Sequence, residues 1–254
     1  MTTPRLTGRL AASMLALAAL TAVVPATYAR GWGMGMTQGS GTFRTETRAP
    51  GHFTGVAMGL PGNLELRIGN TESVTIEADD NLMPLIETVV ENGVLKIRTT
   101  KRNVGIEPRR LKIVVQAKGV DQLALGGSGS IDADALRAPR MMIDLGGSGS
   151  IKLRGVDSDA LTVVLGGSGD LKVAGGTTKK LSLSIAGSGD VDLGKLQSAD
   201  ASVNIAGSGE ATISVRDNLN VTIAGSGDVN YYGDPRVSKT SIGSGSAKRL
   251  GAAR

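Results

Sequence analysis

The chain has 254 residues, including 37 glycines and 8 prolines, no cysteine, and one Trp, three Tyr and two Phe as its aromatics. A hydrophobic share of 40% with a net charge of only +5 excludes intrinsic disorder, and the lack of a triplet glycine period excludes collagen. Without cysteine there is no disulfide, thiolate-bound zinc or lipoprotein anchor, and a core this poor in aromatics suits many thin layers of Leu, Ile, Val and Ala.

The first element is a leader. Arg5 and Arg9 precede an apolar run from Leu10 to Val24, then Pro25 and the small-residue stretch Ala26 to Ala29, the order of a secretory signal peptide. The run is short against the roughly 20 residues of a membrane-spanning helix. Residues 1–29 are therefore expected to be removed, leaving an exported protein, periplasmic or at the cell surface, with no transmembrane span in the mature chain. Residues 30–41, RGWGMGMTQGSG, read as a flexible leader.

Residues 42–120 are rich in alternating strand-like runs but irregular, and Asn92-Gly93 between two such runs signals a hairpin. This part is expected to start and cap the second half of the chain, as imperfect coils or a small sheet. Lys101, Arg102, Arg109, Arg110 and Lys112 form a basic cluster, read as a solvated strand face, with a phosphate or anionic-glycan contact as the alternative. Nucleic acid is not an expected partner for a chain with so few stacking aromatics.

From residue 121 a repeat takes over. Gly-Ser-Gly recurs as Gly127-Ser128-Gly129, Gly147-Ser148-Gly149, Gly167-Ser168-Gly169, Gly187-Ser188-Gly189, Gly207-Ser208-Gly209, Gly225-Ser226-Gly227 and Gly243-Ser244-Gly245, at spacings of 20, 20, 20, 20, 18 and 18. Apolar residues stand two and four places before each tripeptide (Leu125 and Leu123, Leu145 and Ile143, onward to Ile223 and Val221) and two and four places after it (Ile131 and Ala133, onward to Val229 and Tyr231). Period-2 alternation on both sides makes each unit a strand, a tight Gly-Ser-Gly turn, a second strand and a looser turn at Pro139, Gly155, Gly175-Gly176 or Asp217-Asn218. Identical apolar columns are built to stack, so the expected fold is all-β, a parallel β-helix or β-solenoid with coils of about 20 residues. One solenoid domain is expected over 42–247, with 42–120 the irregular capping half and 121–247 the regular repeats. Lys239 and Ser241 bring polar groups to inward positions and read as a terminal cap, followed by a basic tail, 248–254.

Little in the chain is suited to catalysis. His52 is the sole histidine, no nucleophile elbow occurs, and seven copies of one serine indicate structural repetition. A carboxylate pair drawn from Asp132, Asp134, Asp157 and Asp159 is the one arrangement that could support glycoside chemistry. After four successive turns stand Asp170, Asp190, Glu210 and Asp228, a row that could hold calcium but reads first as carboxylates fanned into solvent. No metal or cofactor is expected. Among aromatics, Trp32, Tyr231 and Tyr232 are the candidates for a sugar platform, with Tyr231 in an inward column and Tyr232 on the surface.

The stretch FTGVAMGLPGNLELRIGNTESVTIEADDNLMPLIETVVENGVLKIRT, followed by LKIVV and the run of GSGS and GSGD turns, resembles the bacterial GIN-domain family, the putative auto-transporter adhesin head domain, over residues 42–247. The resemblance implies a parallel β-helix-like superhelix with Gly-Ser-Gly between two sheets, export, and an adhesion role without known catalytic residues. The function expected is an exported, non-enzymatic interaction or adhesion module of the envelope or cell surface, with a protein or glycan partner. The alternative is a polysaccharide-acting enzyme on a pectin-lyase-like β-helix.

Overall fold

Strands with one apolar row each can bury that row only against a neighbour, and this chain supplies the neighbour by repeating itself. The computed structural model describes residues 35–101 and 104–253. The expected signal peptide, residues 1–29, lies outside the described residues, as do 30–34 of the expected leader. In chain order the strands are β1 (Gly35–Gln38), β2 (Phe43–Arg48), β3 (Gly55–Met58), β4 (Asn63–Ile68), β5 (Ser73–Asp79), β6 (Ile86–Glu91), β7 (Val94–Thr99), β8 (Val104–Glu107) and β9 (Leu111–Ala117). The repeats come next as β10 (Gln122–Gly127), β11 (Ser130–Arg137), β12 (Arg140–Gly147), β13 (Ser150–Gly167), β14 (Asp170–Val173), β15 (Gly176–Gly187), β16 (Asp190–Gly207), β17 (Glu210–Gly225), β18 (Asp228–Tyr232), β19 (Arg236–Ile242) and β20 (Ser246–Gly251). Together they form a β-solenoid of about six turns.

The sequence period is the hydrogen-bond register. Ile143 pairs with Val163, Val163 with Leu183 and Leu183 with Val203, all in parallel and all buried. Where the period shortens to 18, Leu193 still pairs with Ile213, but Gln197 pairs with Ser214 and Asp200 with Asn218. The two missing residues are thus taken out beyond Leu193, and the inward columns stay aligned.

The repeat predicts two strands per coil; the structure adds a short third side. A first sheet carries the strands before Gly-Ser-Gly and a second sheet those just after it. A third ladder links Leu136 with Val156, Val156 with Gly176, and Ser198 with Val215. Buried Leu136, Val156, Leu196 and Val215 close the core there, beside hydrogen-bonded hydroxyls: Ser158 Oγ donates to Thr178 Oγ1 at 3.0 Å and Ser198 Oγ to the Ser214 carbonyl at 2.7 Å. The irregular spacing of these residues hides them from a search for strict alternation.

At the corners the ladder does not break. Ser168 N–H donates to the Gly147 carbonyl at 2.9 Å, Ser188 to Gly167 at 2.9 Å, and Asp190 to Gly169 at 3.2 Å. The two glycines of a corner serve different ends. Gly187 has φ +134°, and a Cβ there would run into the Gly167 carbonyl oxygen. Gly189 is buried, and a Cβ there would collide with the Gly169 oxygen and lie 2.6 Å from Leu165 Cδ2. Ser188, between them, is exposed.

In the first half, chain order and stacking order part company. β3 and β4 form a coil held between β7 and β9 on one side and β10 and β11 on the other, all parallel. The stack is then finished with antiparallel strands: β6 on β7, and β5 on β9 followed by β2. The β6–β7 hairpin turns at Asn92 (φ 53°) and Gly93 (φ 78°), as the dipeptide predicts. At the end of the expected leader, β1 pairs in parallel with β8. Behind it, buried Asp79 accepts N–H bonds from Gly41 (2.7 Å) and Arg109 (2.9 Å), with Arg110 at 3.4 Å. Burial pushes the Asp79 carboxyl up, but these backbone donors outweigh it and hold the pKa below the ordinary aspartate value.

The expected basic tail also belongs to the stack, since β20 pairs with β18. In the last coil Lys239 Nζ and Ser241 Oγ both donate to the Gly245 carbonyl, at 3.1 and 3.2 Å. In earlier corners the equivalent oxygen accepts an N–H from the next coil, as Gly149 does from Asp170 at 3.0 Å. The polar intrusion therefore fills the donor role that a neighbouring coil fills at the earlier corners.

Gly189→Ala is expected to destabilise the protein by about 1–3 kcal/mol in denaturant melts, while Ser188→Ala changes it by less than about 0.5 kcal/mol. Equal effects would contradict the corner geometry. Asp79→Ala leaves three backbone donors short of an acceptor and is expected to lose on the order of 2–3 kcal/mol. Because the folded pKa of Asp79 is depressed, its contribution is full above the unfolded value of about 3.9 and is lost as pH falls through the folded value. The variant should therefore show a shallower acid limb in a stability–pH series. Lys239→Val with Ser241→Val should increase self-association in light scattering by opening an apolar end.

Candidate functional site

A groove of about 1060 Å³ opens on the outer wall of the second sheet. Outward-facing positions of β4, β9, β11, β13 and β14 line it, because alternation that turns apolar residues inward turns these outward. Its basic residues are Arg109, Arg110, Lys112, Lys152, Arg154 and Lys172, and its acidic residues Glu65, Glu77, Asp132 and Asp134. Part of the expected basic cluster is thus brought to the groove. Lys101 is exposed outside it, and Arg102 lies outside the described residues.

Arg109 and Arg110 are positioned by their backbone bonds to Asp79. The Arg110 guanidinium stands 4.5 Å over the Phe43 ring and 2.8 Å from Glu77 Oε1. Arg154 meets Asp134 at 3.3 Å, Lys112 stands 4.0 Å from Glu65, which also meets Arg67 at 2.8 Å, and Lys172 reaches Asp192 at 2.8 Å. Burial pushes Asp192 up, but the Lys172 bond, the Gly194 N–H and the charges of Lys172 and Lys195 together outweigh it and hold the carboxyl below its usual range. Arg109, Lys152 and Asp132 make no ion pair among the described residues, although Asp132 and Lys152 are neighbours in the parallel register. Lys152, Arg154 and Lys172 escape a linear reading of the basic cluster, although the 20-residue register carries the signal that would align them beside it.

The four aspartates considered for a carboxylate pair are divided. Asp132 and Asp134 line this groove, while Asp157 and Asp159 line a second recess of about 630 Å³. There Asp157 meets Arg137 at 3.1 Å and Asp159 meets Lys179 at 2.6 Å. The Arg137 bond is the main cause holding the Asp157 carboxyl below its usual range.

Asp170, Asp190, Glu210 and Asp228 do fall in one column, each paired with the next. All four are exposed. Glu210 accepts from Asn230 at 2.6 Å and Asp228 from the Ser246 hydroxyl at 2.7 Å, which holds the Asp228 pKa down. Among the described residues no three acidic or histidine side chains are grouped as a metal ion would need. Tyr231 packs partly buried against the core and Tyr232 is half-buried beside Gly194; Trp32 lies outside the described residues. His52 Nδ1 lies 2.7 Å from Glu72, away from the groove. No helix among the described residues is long and apolar enough to cross a membrane.

Comparison with curated protein sequences gives no match. A crystal structure of a "putative lipid binding protein" from Parabacteroides distasonis is 28% identical with a TM-score of 0.71, the match covering 85% of this chain and 99% of that one. Structures of putative adhesins from Bacteroides fragilis (22% identical, TM-score 0.78, 84% of this chain and 100% of that one) and Parabacteroides merdae (18%, 0.64, 85% and 99%) share the fold. The family model described as "Putative auto-transporter adhesin, head GIN domain" matches residues 52–235, and with the stacked Gly-Ser-Gly corners over that range, the chain belongs to this family.

Proposed function

We propose that the protein is an exported, non-enzymatic interaction module that contacts an envelope or cell-surface partner, protein or glycan, through the outer walls of the solenoid. The observation that carries the reading is the groove, an open recess of about 1060 Å³ whose charges are mostly tied in pairs while Arg109 and Lys152 are left available. Such a wall is preorganised: its backbone is fixed by ladders above and below, so little order has to be gained on contact. Membership of the adhesin-head family supports a binding role, as do structural neighbours named as adhesins and a lipid-binding protein. The signal-peptide pattern of residues 1–29 supports export. Anionic groups of a surface polymer or lipid headgroup suit Arg109 and Lys152.

One observation favours a second reading, a polysaccharide-acting enzyme: the groove gathers Glu65, Glu77, Asp132 and Asp134. Three of the four hold a cation, and Asp132 alone is free to work as a base or nucleophile.

Binding of the purified protein to envelope fractions is expected to weaken with added salt and to fall by about fivefold in an Arg109→Ala, Lys152→Ala variant. Unchanged binding would overturn the role of the groove. Cleavage of any polyuronate or neutral glycan, lost in Asp132→Asn, would establish the second reading instead.

A further inference from the structure

The outer wall of the first sheet differs in kind from that of the second. Four outward columns run up it: one at the far edge from Arg140 to Arg236, which carries Arg140, Lys180, Asp200 and Arg236, and three nearer the corners, 21 positions in all, from Gln122 to Ser238, from Ala124 to Thr240 and from Gly126 to Ile242. Of these 21 positions only Asp144 carries a charge. The two matching columns of the second sheet, Ser130 to Ser246 and Asp132 to Lys248, hold nine charges in 14 positions. Asp144 is half-buried, and burial raises its pKa. The same coils build both walls, so the difference lies in side-chain choice and not in backbone shape.

The centre of this wall is polar without being engaged. Ser182, Ser202 and Asn220 stand in one column and Ser184, Asn204 and Thr222 in the next, in register from coil to coil. None of these six side chains makes a hydrogen bond with another described residue. Beside them the third column is glycine and alanine up to Ala224, so the wall is flat there, with Met142 and Val164 exposed on the earlier coils and Ile242 on the last. Strand spacing sets the rungs about 4.8 Å apart, and alternate residues along a strand about 6.8 Å apart.

We infer that this wall is a binding surface for an extended, uncharged, hydroxyl-rich polymer, a neutral polysaccharide strand. Hydroxyls and amides both donate and accept, as do the hydroxyls of a sugar chain, so either partner can satisfy the other rung by rung. The three columns beside the corners offer no anchor to a polyanion, whose charges would be drawn to the far edge at Arg140, Lys180 and Arg236, and they spare a neutral ligand the desolvation of ions. Short side chains lose little rotamer freedom on contact. The wall measures roughly 29 Å by 14 Å, about 400 Å², which is half of the roughly 800 Å² that each partner gives to a stable protein interface. That area disfavours a second copy of the chain and suits a strand. With no aromatic platform each rung is weak, so affinity has to come from repetition along the polymer. The inference rests on the reading of the protein as a binding module, but not on the groove.

The test is co-sedimentation of the purified protein with cellulose, chitin, curdlan and granular starch. Polygalacturonate beads serve as the charged control and the corresponding monosaccharides as competitors. Retention on at least one neutral polymer is expected, insensitive to roughly 0.5 M salt, not competed by monosaccharide, and reduced at least about tenfold by Ser184→Lys with Asn204→Lys. Thermal melts check that this surface variant is folded, and Arg109→Ala with Lys152→Ala should bind like the unaltered protein. No retention on any neutral polymer, or equal retention of the lysine variant, would overturn the inference. So would a dimer that the lysine variant dissociates, since the wall would then be a self-interface. If envelope binding through the groove persists while neutral polymers fail, this inference falls and the proposed interaction module stands.

Discussion

At every Gly-Ser-Gly corner the backbone of one coil rests directly on the backbone of the coil before it. The carbonyl oxygen of Gly167 occupies the space that a side chain on Gly187 would need, and the same contact recurs from Gly147 through Gly243. This close approach lets the parallel ladder pass around the corner unbroken, with Ser168, Ser188 and Ser208 donating to the glycine below at 2.9 Å. It also fixes the rotation of each coil relative to the last. Once the corners are superposed, the inward rows of Leu, Ile and Val must lie over one another, and a coil too thin to bury its own apolar residues buries its neighbour's. Scarcity of aromatics follows from the same limit on width.

The ends of such a stack are its weak points, and the two ends are finished differently. At the start, antiparallel β2, β5 and β6 cover the last parallel strands, and Asp79 ties residue 41 to residues 109 and 110. At the finish, Lys239 and Ser241 donate to the Gly245 carbonyl. Neither device needs a separate domain.

Repetition made the second half of the molecule readable. Register, burial and the tight corners follow from Gly127 to Gly243 by counting, because a stacked coil places residue n on residue n + 20. The Asn92-Gly93 turn was legible for a different reason, since its dihedral demand falls on the residues themselves. The third side was not legible, because Leu136, Val156 and Leu196 follow a bend and not an alternation. Nor was the placing of β3 and β4 between strands that come later in the chain, which no local pattern encodes. The same non-local contact explains the groove: Arg109 and Arg110 were visible as a cluster, but their meeting with Lys152 and Arg154 depends on that interleaving.

Two walls of one scaffold thus differ, one charged and recessed, the other nearly free of charge in the three columns beside the corners, over a core that is the same beneath both. Everything rests on the corners being part of the ladder and not loops between strands. Residue-resolved amide hydrogen exchange tests this most directly. The N–H groups of Ser148, Ser168, Ser188 and Ser208 should exchange as slowly as those of the adjoining strands, although these serines are exposed. Fast exchange there, with protection confined to the strands, would contradict the account.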